Sequence, residues 1–314
     1  MKKLLVGYRS SDLNSRLLEG DVVCHVLDVY VKHAIEKVFP SAKVVCSAHL
    51  PEEEFDVIEF KTGPKLMQGE VALSLLQEIA LKKRGDLSAP GFILHFEGKE
   101  RDRNDFLAKV NGDPKRVRSF RAVWQASVPK GPRLDFVSYP GCFCHRRLDE
   151  GGLALAETVV RELSALPRNG DEPLRILDMG CGCGLVGLLI ASVIPNIQLT
   201  FIDSHSRAIE AASENVRLHG IQNAEIVLAD NGIDSLKGRK HYFDVFVGNP
   251  PYYSDYRIAD VFLDTARKCL KWGGAAYSVC KNAAGLEPVQ LKYFDAVETI
   301  KRRGYAVLKS LANK

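Results

Sequence analysis

Apolar residues change their period repeatedly along this chain, and from Leu174 onward the changes alternate regularly. Leu174 to Asp178, Ile197 to Asp203, Ala224 to Asp230, Tyr242 to Val247 and Ala275 to Lys281 are short apolar runs of strand length. Between them lie longer segments that read as helices. Leu185 to Val193 is apolar, and Ser206 to His219 stops at Gly220, where a left-handed residue can close a helix. Ile258 to Leu270 carries Ile258, Val261, Phe262, Thr265 and Cys269 at helical spacing. Strands alternating with helices of this length predict a parallel sheet covered on both faces.

The region before about Phe136 repeats the pattern more faintly. Val38–His49 (VFPSAKVVCSAH) resembles Val193–Ser204 (VIPNIQLTFIDS), and Phe55–Phe60 (FDVIEF) resembles Phe243–Gly248 (FDVFVG). An internal duplication is expected, giving two α/β units in tandem, 1–135 and 136–314. On this pairing Ala48 stands where the second copy has Asp203. Lys61-Thr62-Gly63 stands where the second has Asn249-Pro250-Pro251, and no glycine-rich loop follows an acid before Val38. The first copy is therefore expected to keep the fold and lack the chemistry.

Composition narrows the class. Apolar residues make up 46% and charged residues 26%, ordinary for a globular chain of 314 residues. No apolar run is long enough to span a bilayer, and MKKLLVGYRSSD reads as a first strand, not as a secretion signal. Eight cysteines without a CxxC pair or matching histidines argue against a metal site. They read as reduced side chains of a cytoplasmic protein. The net charge of +4 is weakly basic, but six basic residues (Lys115, Arg116, Arg118, Arg121, Lys130, Arg133) face one acid between Asp113 and Arg133, with Phe120 and Trp124 among them. Such a stretch suits a phosphate backbone with unstacked bases, or equally a solvated face with two rings turned inward.

The candidate chemistry lies at the predicted strand ends of the second unit. Leu177–Gly184 (LDMGCGCG) places Asp178, Gly180, Gly182 and Gly184 in D-x-G-x-G-x-G spacing between a strand and a helix. Glycines there let the backbone turn sharply and approach a ligand. Asp203 closes the next strand and can accept hydrogen bonds from both hydroxyls of a ribose, while Asp230 and Asn231 close the third. Either acid alone would read as a helix cap; three polar strand ends in succession favour one nucleoside ligand. The fourth run ends on Asn249-Pro250-Pro251-Tyr252, a stiff corner poor in backbone donors.

This combination resembles the class I S-adenosylmethionine-dependent methyltransferases that carry an Asn-Pro-Pro-Tyr motif. Asp135–Val159, with Pro140, Gly141, Phe143, Leu148, Asp149 and Gly151, is similar to the segment entering the catalytic domain of the bacterial ribosomal RNA guanine-N2 methyltransferases RsmC and RlmG. The resemblance implies S-adenosylmethionine as cofactor and an exocyclic amine as acceptor. It implies a degenerate first domain and a ribosomal RNA partner. Asn249, Pro250, Pro251 and Tyr252 would carry the chemistry, and Asp178, Gly180, Gly182, Gly184, Asp203, Asp230 and Asn231 the cofactor. The Asn249 oxygen and the following carbonyl would accept the amine hydrogens, and Tyr252 would stack on the base. Phe143 would cover the cofactor or the base. No metal is implied, and a monomer is expected. The family usually reads Asn-Pro-Pro-Phe followed by His and Gly, whereas this chain has Tyr252-Tyr253-Ser254-Asp255, which leaves the base open. Adenine-N6 or protein glutamine methylation, and an RNA-binding scaffold without activity, remain the alternatives.

Overall fold

A computed structural model describes residues 1–83, 87–88, 90–110, 119–166, 172–236, 238–251 and 256–314. They form two compact units: residues 1–122 with 139–141 and 205–207, and residues 123–138, 142–204 and 208–314.

In the first unit β1 (Lys2–Val6), β2 (Asp21–Val26), β3 (Lys43–Cys46), β4 (Val57–Thr62) and β5 (Phe92–Phe96) form one sheet in the order β3-β2-β1-β4-β5. Every pairing is parallel. Among the described residues the α-helices of this unit are α1 (Val29–Val38), α2 (Gly69–Lys82) and α3 (Glu100–Val110). The two-residue side-chain period of β1 serves both faces. Leu4 and Val6 join Val71, Leu75, Leu76 and Ile79 of α2, whereas Leu5 joins Ile35 of α1.

The second unit, from Val123, opens on most of β6 (Ala122–Ala126), which pairs with β7 (Leu134–Ser138) in a ribbon followed by α4 (Glu150–Ala165). Then come β8 (Leu174–Met179), α5 (Leu185–Ala191), β9 (Ile197–Asp203), α6 (Ser206–Leu218), β10 (Ala224–Leu228), α7 (Gly232–Ser235), β11 (Phe243–Gly248) and α8 (Arg257–Cys269). The chain closes with β12 (Leu270–Cys280), α9 (Ala283–Gln290), β13 (Glu298–Arg302) and β14 (Tyr305–Leu311). Strand order is β10-β9-β8-β11-β12-β14-β13, parallel except for the last two additions. The chain leaves β8 toward β10, then returns to β11 on the other side. A crevice is therefore dictated between the carboxyl ends of β8 and β11, where open α/β sheets bind ligands. Phe246, Leu177 and Met179 pack against Ala259, Phe262, Leu263 and Ala266 of α8 in a buried cluster that fixes this edge.

The tandem α/β architecture expected from the sequence is present, and the first five positions of both sheets share one order. That order corrects the strand pairing drawn from sequence similarity. β3 lies where β10 lies, not where β9 does, and the counterpart of β9 is β2. The first copy consequently does have an acid past its second strand. It is Asp28, whose side chain caps α1 by accepting from the Tyr30 N–H at 2.7 Å. Ala48 is not the counterpart of Asp203. What the first unit does lack is the glycine loop after its central strand and the Asn-Pro-Pro corner after β4. Gly7, the residue after β1, is so close to β4 that an added Cβ would sit 2.2 Å from the Lys61 carbonyl oxygen.

The basic stretch divides. Asp113, Lys115, Arg116 and Arg118 lie outside the described residues, and Arg121, Lys130 and Arg133 are exposed. Trp124 is half-buried and turns one face of its ring inward. Its ring stacks on the buried Phe136 at a centroid distance of 5.1 Å, and its Nε1 donates to Ser138 Oγ at 3.3 Å.

Candidate active site

Strand register brings the candidate groups together. Gly248 pairs with Met179 and Met179 with Ile202, so Asn249, Gly180 and Asp203 are each the next residue along three adjacent strands. The glycine turn is tied to β9 by its own backbone: Gly180 and Cys181 both donate N–H bonds to the Ile202 carbonyl, at 2.8 and 3.0 Å. Gly180, Gly182 and Gly184 have φ of +67°, +55° and +84°, a left-handed region that disfavours side chains. A Cβ on Gly182 would meet nothing within 4 Å among the described residues, so the loop presents bare backbone to open space.

The three acids of this edge have distinct surroundings. Asp178 is 2% exposed and accepts the Gly187 N–H at 2.9 Å, which anchors α5 beneath the loop. Burial raises its carboxyl to about 7; the Gly187 bond opposes the rise and the neighbouring Asp203 charge adds to it. Asp178 thus supports the loop from below. Asp203 accepts the Gly182 N–H at 2.9 Å through one carboxylate oxygen. Asp230 is half-buried beyond β10, and the β10 end is joined to β9 by the Ala229 N–H donating to the Asp203 carbonyl at 2.9 Å. Asn231 is exposed at the start of α7, with its amide donating to Asp234 at 2.6 Å.

At the fourth strand end Pro250 is buried and Asn249 and Pro251 are half-buried. The Asn249 amide nitrogen donates to Asp149 Oδ2 at 2.9 Å. Asp149 is the N-cap of α4, with Oδ1 accepting the Gly151 N–H at 3.0 Å. Tyr252 lies outside the described residues. Phe143 is 66% exposed.

Two supports of the site were not evident beforehand. Asn215 is fully buried on α6 and saturates its amide: it accepts from Val137 N at 2.8 Å and donates to the Val137 and Cys183 carbonyls at 2.9 Å each. The signal was present, since Asn215 continues the buried stripe of Ala208, Ala211 and Ala212, where a polar residue needs a buried partner. Phe262 of α8 lies under both loops, with its ring 2.7 Å from a Cβ built on Gly180 and 3.1 Å from one built on Gly248. No spacing rule reveals that contact.

The two cysteines of the glycine turn are poor candidates for nucleophiles. Cys181 and Cys183 are buried, and burial pushes both thiols well up, so neither supplies a thiolate. The features fit a nucleoside-bearing cofactor: open backbone over Gly182, a carboxylate one strand over, and an amide across the switch point.

Comparison with known proteins bears on the family and the fold. The chain is 27% identical over 248 residues to ribosomal RNA small subunit methyltransferase C of Pseudomonas entomophila, covering 70% of this chain and 69% of that protein. It is 26% identical over 269 residues to ribosomal RNA large subunit methyltransferase G of Pseudomonas syringae pv. tomato, covering 83% of this chain but only 60% of that one. Among solved structures, the T. thermophilus 16S rRNA guanine-N2 methyltransferase RsmC, in complex with AdoMet and guanosine, superposes over 100% of this chain and 88% of its own. The TM-score is 0.76 at 16% identity, a likeness of fold. The family model described as methyltransferase small domain matches residues 133–309, more than half of the chain. This chain belongs to the methyltransferase small domain family.

Proposed function

We propose that this protein transfers a methyl group from S-adenosylmethionine to the exocyclic N2 amine of a guanine in ribosomal RNA. The carrying observation is the juxtaposition of a bare glycine turn after β8 with an oriented asparagine amide after β11, at the switch point of the sheet. The curated relatives, named as small- and large-subunit ribosomal RNA methyltransferases, support the same reading.

Bound S-adenosylmethionine supplies an electrophilic methyl group on a sulfonium. Gly180, Gly182 and Gly184 would hold it against backbone, Asp203 would accept its ribose hydroxyls, and Asp230 and Asn231 would flank its base. Asp178 acts through the loop by fixing Gly187. An aromatic exocyclic nitrogen is a poor nucleophile because its lone pair is delocalised into the ring. Asn249 Oδ1 and the backbone carbonyl after it accept the two amine hydrogens, which restores density to the nitrogen and stabilises positive charge as it develops. Pro250 and Pro251 stiffen that carbonyl and remove competing N–H donors. Tyr252 provides a stacking face for an extruded base. The nitrogen–methyl bond would form as the sulfur–methyl bond breaks, the thioether leaving neutral, and the positively charged nitrogen so formed would lose one proton to water.

In this reading residues 136–314 carry catalysis and residues 1–135 grip RNA, aided by the basic stretch around Arg121 and Arg133. The enzyme then works in the cytoplasm, on ribosomal RNA or an assembling subunit. Among the described residues no helix is long and apolar enough to cross a membrane. The test is incubation with methyl-labelled S-adenosylmethionine and purified 16S and 23S RNA or subunits, followed by nucleoside analysis. N2-methylguanosine supports the proposal. Label in N6-methyladenosine or in protein glutamine would move it to the alternatives that the Tyr252-Tyr253 departure leaves open, and absence of transfer would reject it.

A further inference from the structure

Resting on that reading, we propose that Asp149 is a positioning residue for the reaction: its carboxylate sets which way the Asn249 amide faces and strengthens its oxygen as an acceptor. An asparagine amide can be turned by half a rotation with little change in shape, exchanging its donor for its acceptor. Only one orientation can receive an amine hydrogen. Burial raises the Asp149 carboxyl, and the bonds from Gly152, Asn249 and Gly151 oppose the rise. In its ionised form the carboxylate only accepts, so the atom facing Oδ2 at 2.9 Å is the Asn249 nitrogen. Oδ1 of Asn249 is thereby the acceptor of the corner. Donation into an anion also polarises the amide, leaving more negative charge on its oxygen.

The surroundings of Asp149 hold the carboxylate in that role. Its other oxygen is occupied as the α4 cap, accepting the Gly151 N–H at 3.0 Å, so the plane of the group is set by the helix. Gly152 makes the room. A Cβ there would lie 2.6 Å from Asp149 Oδ2 and 3.1 Å from its Cγ, displacing the oxygen that Asn249 uses. The Asp149-Glu150-Gly151-Gly152 sequence therefore combines a helix cap with a clear path toward a residue one hundred positions later.

The discriminating variant is Asp149→Asn. Asparagine and aspartate are nearly equal as helix N-caps, so α4 is retained. With the asparagine oxygen on Gly151, its NH2 faces Asn249, which turns over and presents its own NH2 to the substrate. Expected results are an unchanged melting temperature, an unchanged dissociation constant for S-adenosylmethionine, and a kcat lower by about a hundredfold, as when an oriented polar group is lost. In an Asn249→Ala background the same substitution should add almost nothing, because the two residues act as a unit. An Asp149→Ser variant, which caps with one oxygen, covers the case in which Asp149→Asn does not fold. The side-chain amide resonances of Asn249 in the protein without substrate should move in both variants. A kcat within about threefold of wild type, or additive losses in the double variant, overturns the proposal. Unmoved Asn249 resonances overturn it independently of activity. If wild-type protein transfers no methyl to ribosomal RNA while those resonances do move, it is the functional reading that fails.

Discussion

Asn215 and Cys183 are joined by a buried hydrogen bond of 2.9 Å from the side-chain amide to the carbonyl of the glycine turn. The same amide exchanges two bonds with the backbone of Val137, so one residue of α6 ties β7 to the loop that would carry the cofactor. Loop geometry is thus set from below, by side chains of the sheet and helices, and not by the loop's own sequence alone.

Asn215→Ala should therefore act twice. It strands the Val137 N–H and two carbonyls in a dry interior, a loss on the order of 3 kcal/mol in unfolding free energy. It also frees Cys183, so S-adenosylmethionine affinity should fall even in the folded fraction. Denaturant titration and calorimetric titration on the same sample check both effects; wild-type affinity in a destabilised variant would disconnect Asn215 from the loop.

Asp178 makes stability pH-dependent. Its folded carboxyl is raised to about 7, chiefly by burial, above its unfolded value. The folded state therefore binds the proton more tightly than the unfolded state. The associated stabilisation is complete below the ordinary carboxyl range and is lost as pH rises toward and through about 7. Asp178→Asn imitates the protonated form and still accepts the Gly187 N–H. Its unfolding free energy should vary less between pH 4 and 7 than that of wild type, which chemical denaturation at several pH values measures.

The first unit should bind no cofactor of its own. At the carboxyl end of its sheet a cavity of about 460 Å3 is walled by Tyr8, Leu17, Glu59, Lys61, His95, Phe96 and Glu97. Its charges are paired internally: Lys61 with Asp12 at 2.6 Å and Glu97 at 2.8 Å, and Glu59 with Lys3 at 2.9 Å and His95 at 3.0 Å. Burial alone would raise the Glu59 carboxyl, yet bonds from Lys3, His95 and Tyr8 hold it below its usual range. A nucleoside would have to break these pairs without a glycine turn to receive it. Calorimetric titration with S-adenosylmethionine should give one site per chain, and a second site would contradict the account.

Arg121 and Arg133 are exposed on the segment that the proposal assigns to RNA. Replacing both with alanine should weaken RNA binding and flatten its dependence on salt, since each phosphate contact contributes to the slope. An unaltered slope would make this stretch an ordinary solvated surface.

Much of this architecture was legible in the residues because each element followed a simple period. Ile197–Asp203 forms the strand its alternation predicted, and Gly220 has the left-handed φ of +63° expected past α6. The strand expected at Ala275 to Lys281 is longer: β12 begins at Leu270 and runs through Gly273 and Gly274, residues that weaken a strand pattern. Matching β3 to β9 failed for a different reason: short apolar strands of parallel sheets resemble one another, and only pairing distinguishes their positions. The glycine turn, Asp203 and the Asn249 corner could be picked out because each ends a strand. The contacts from Asp149 to Asn249 and from Asn215 to Cys183 could not, because they join residues far apart in sequence through folding alone.

Asn249→Ala tests the central claim most directly. The account predicts that S-adenosylmethionine still binds with nearly wild-type affinity, while single-turnover methyl transfer to ribosomal RNA slows by about two to three orders of magnitude. Transfer at the wild-type rate would remove Asn249 from the chemistry and contradict the account.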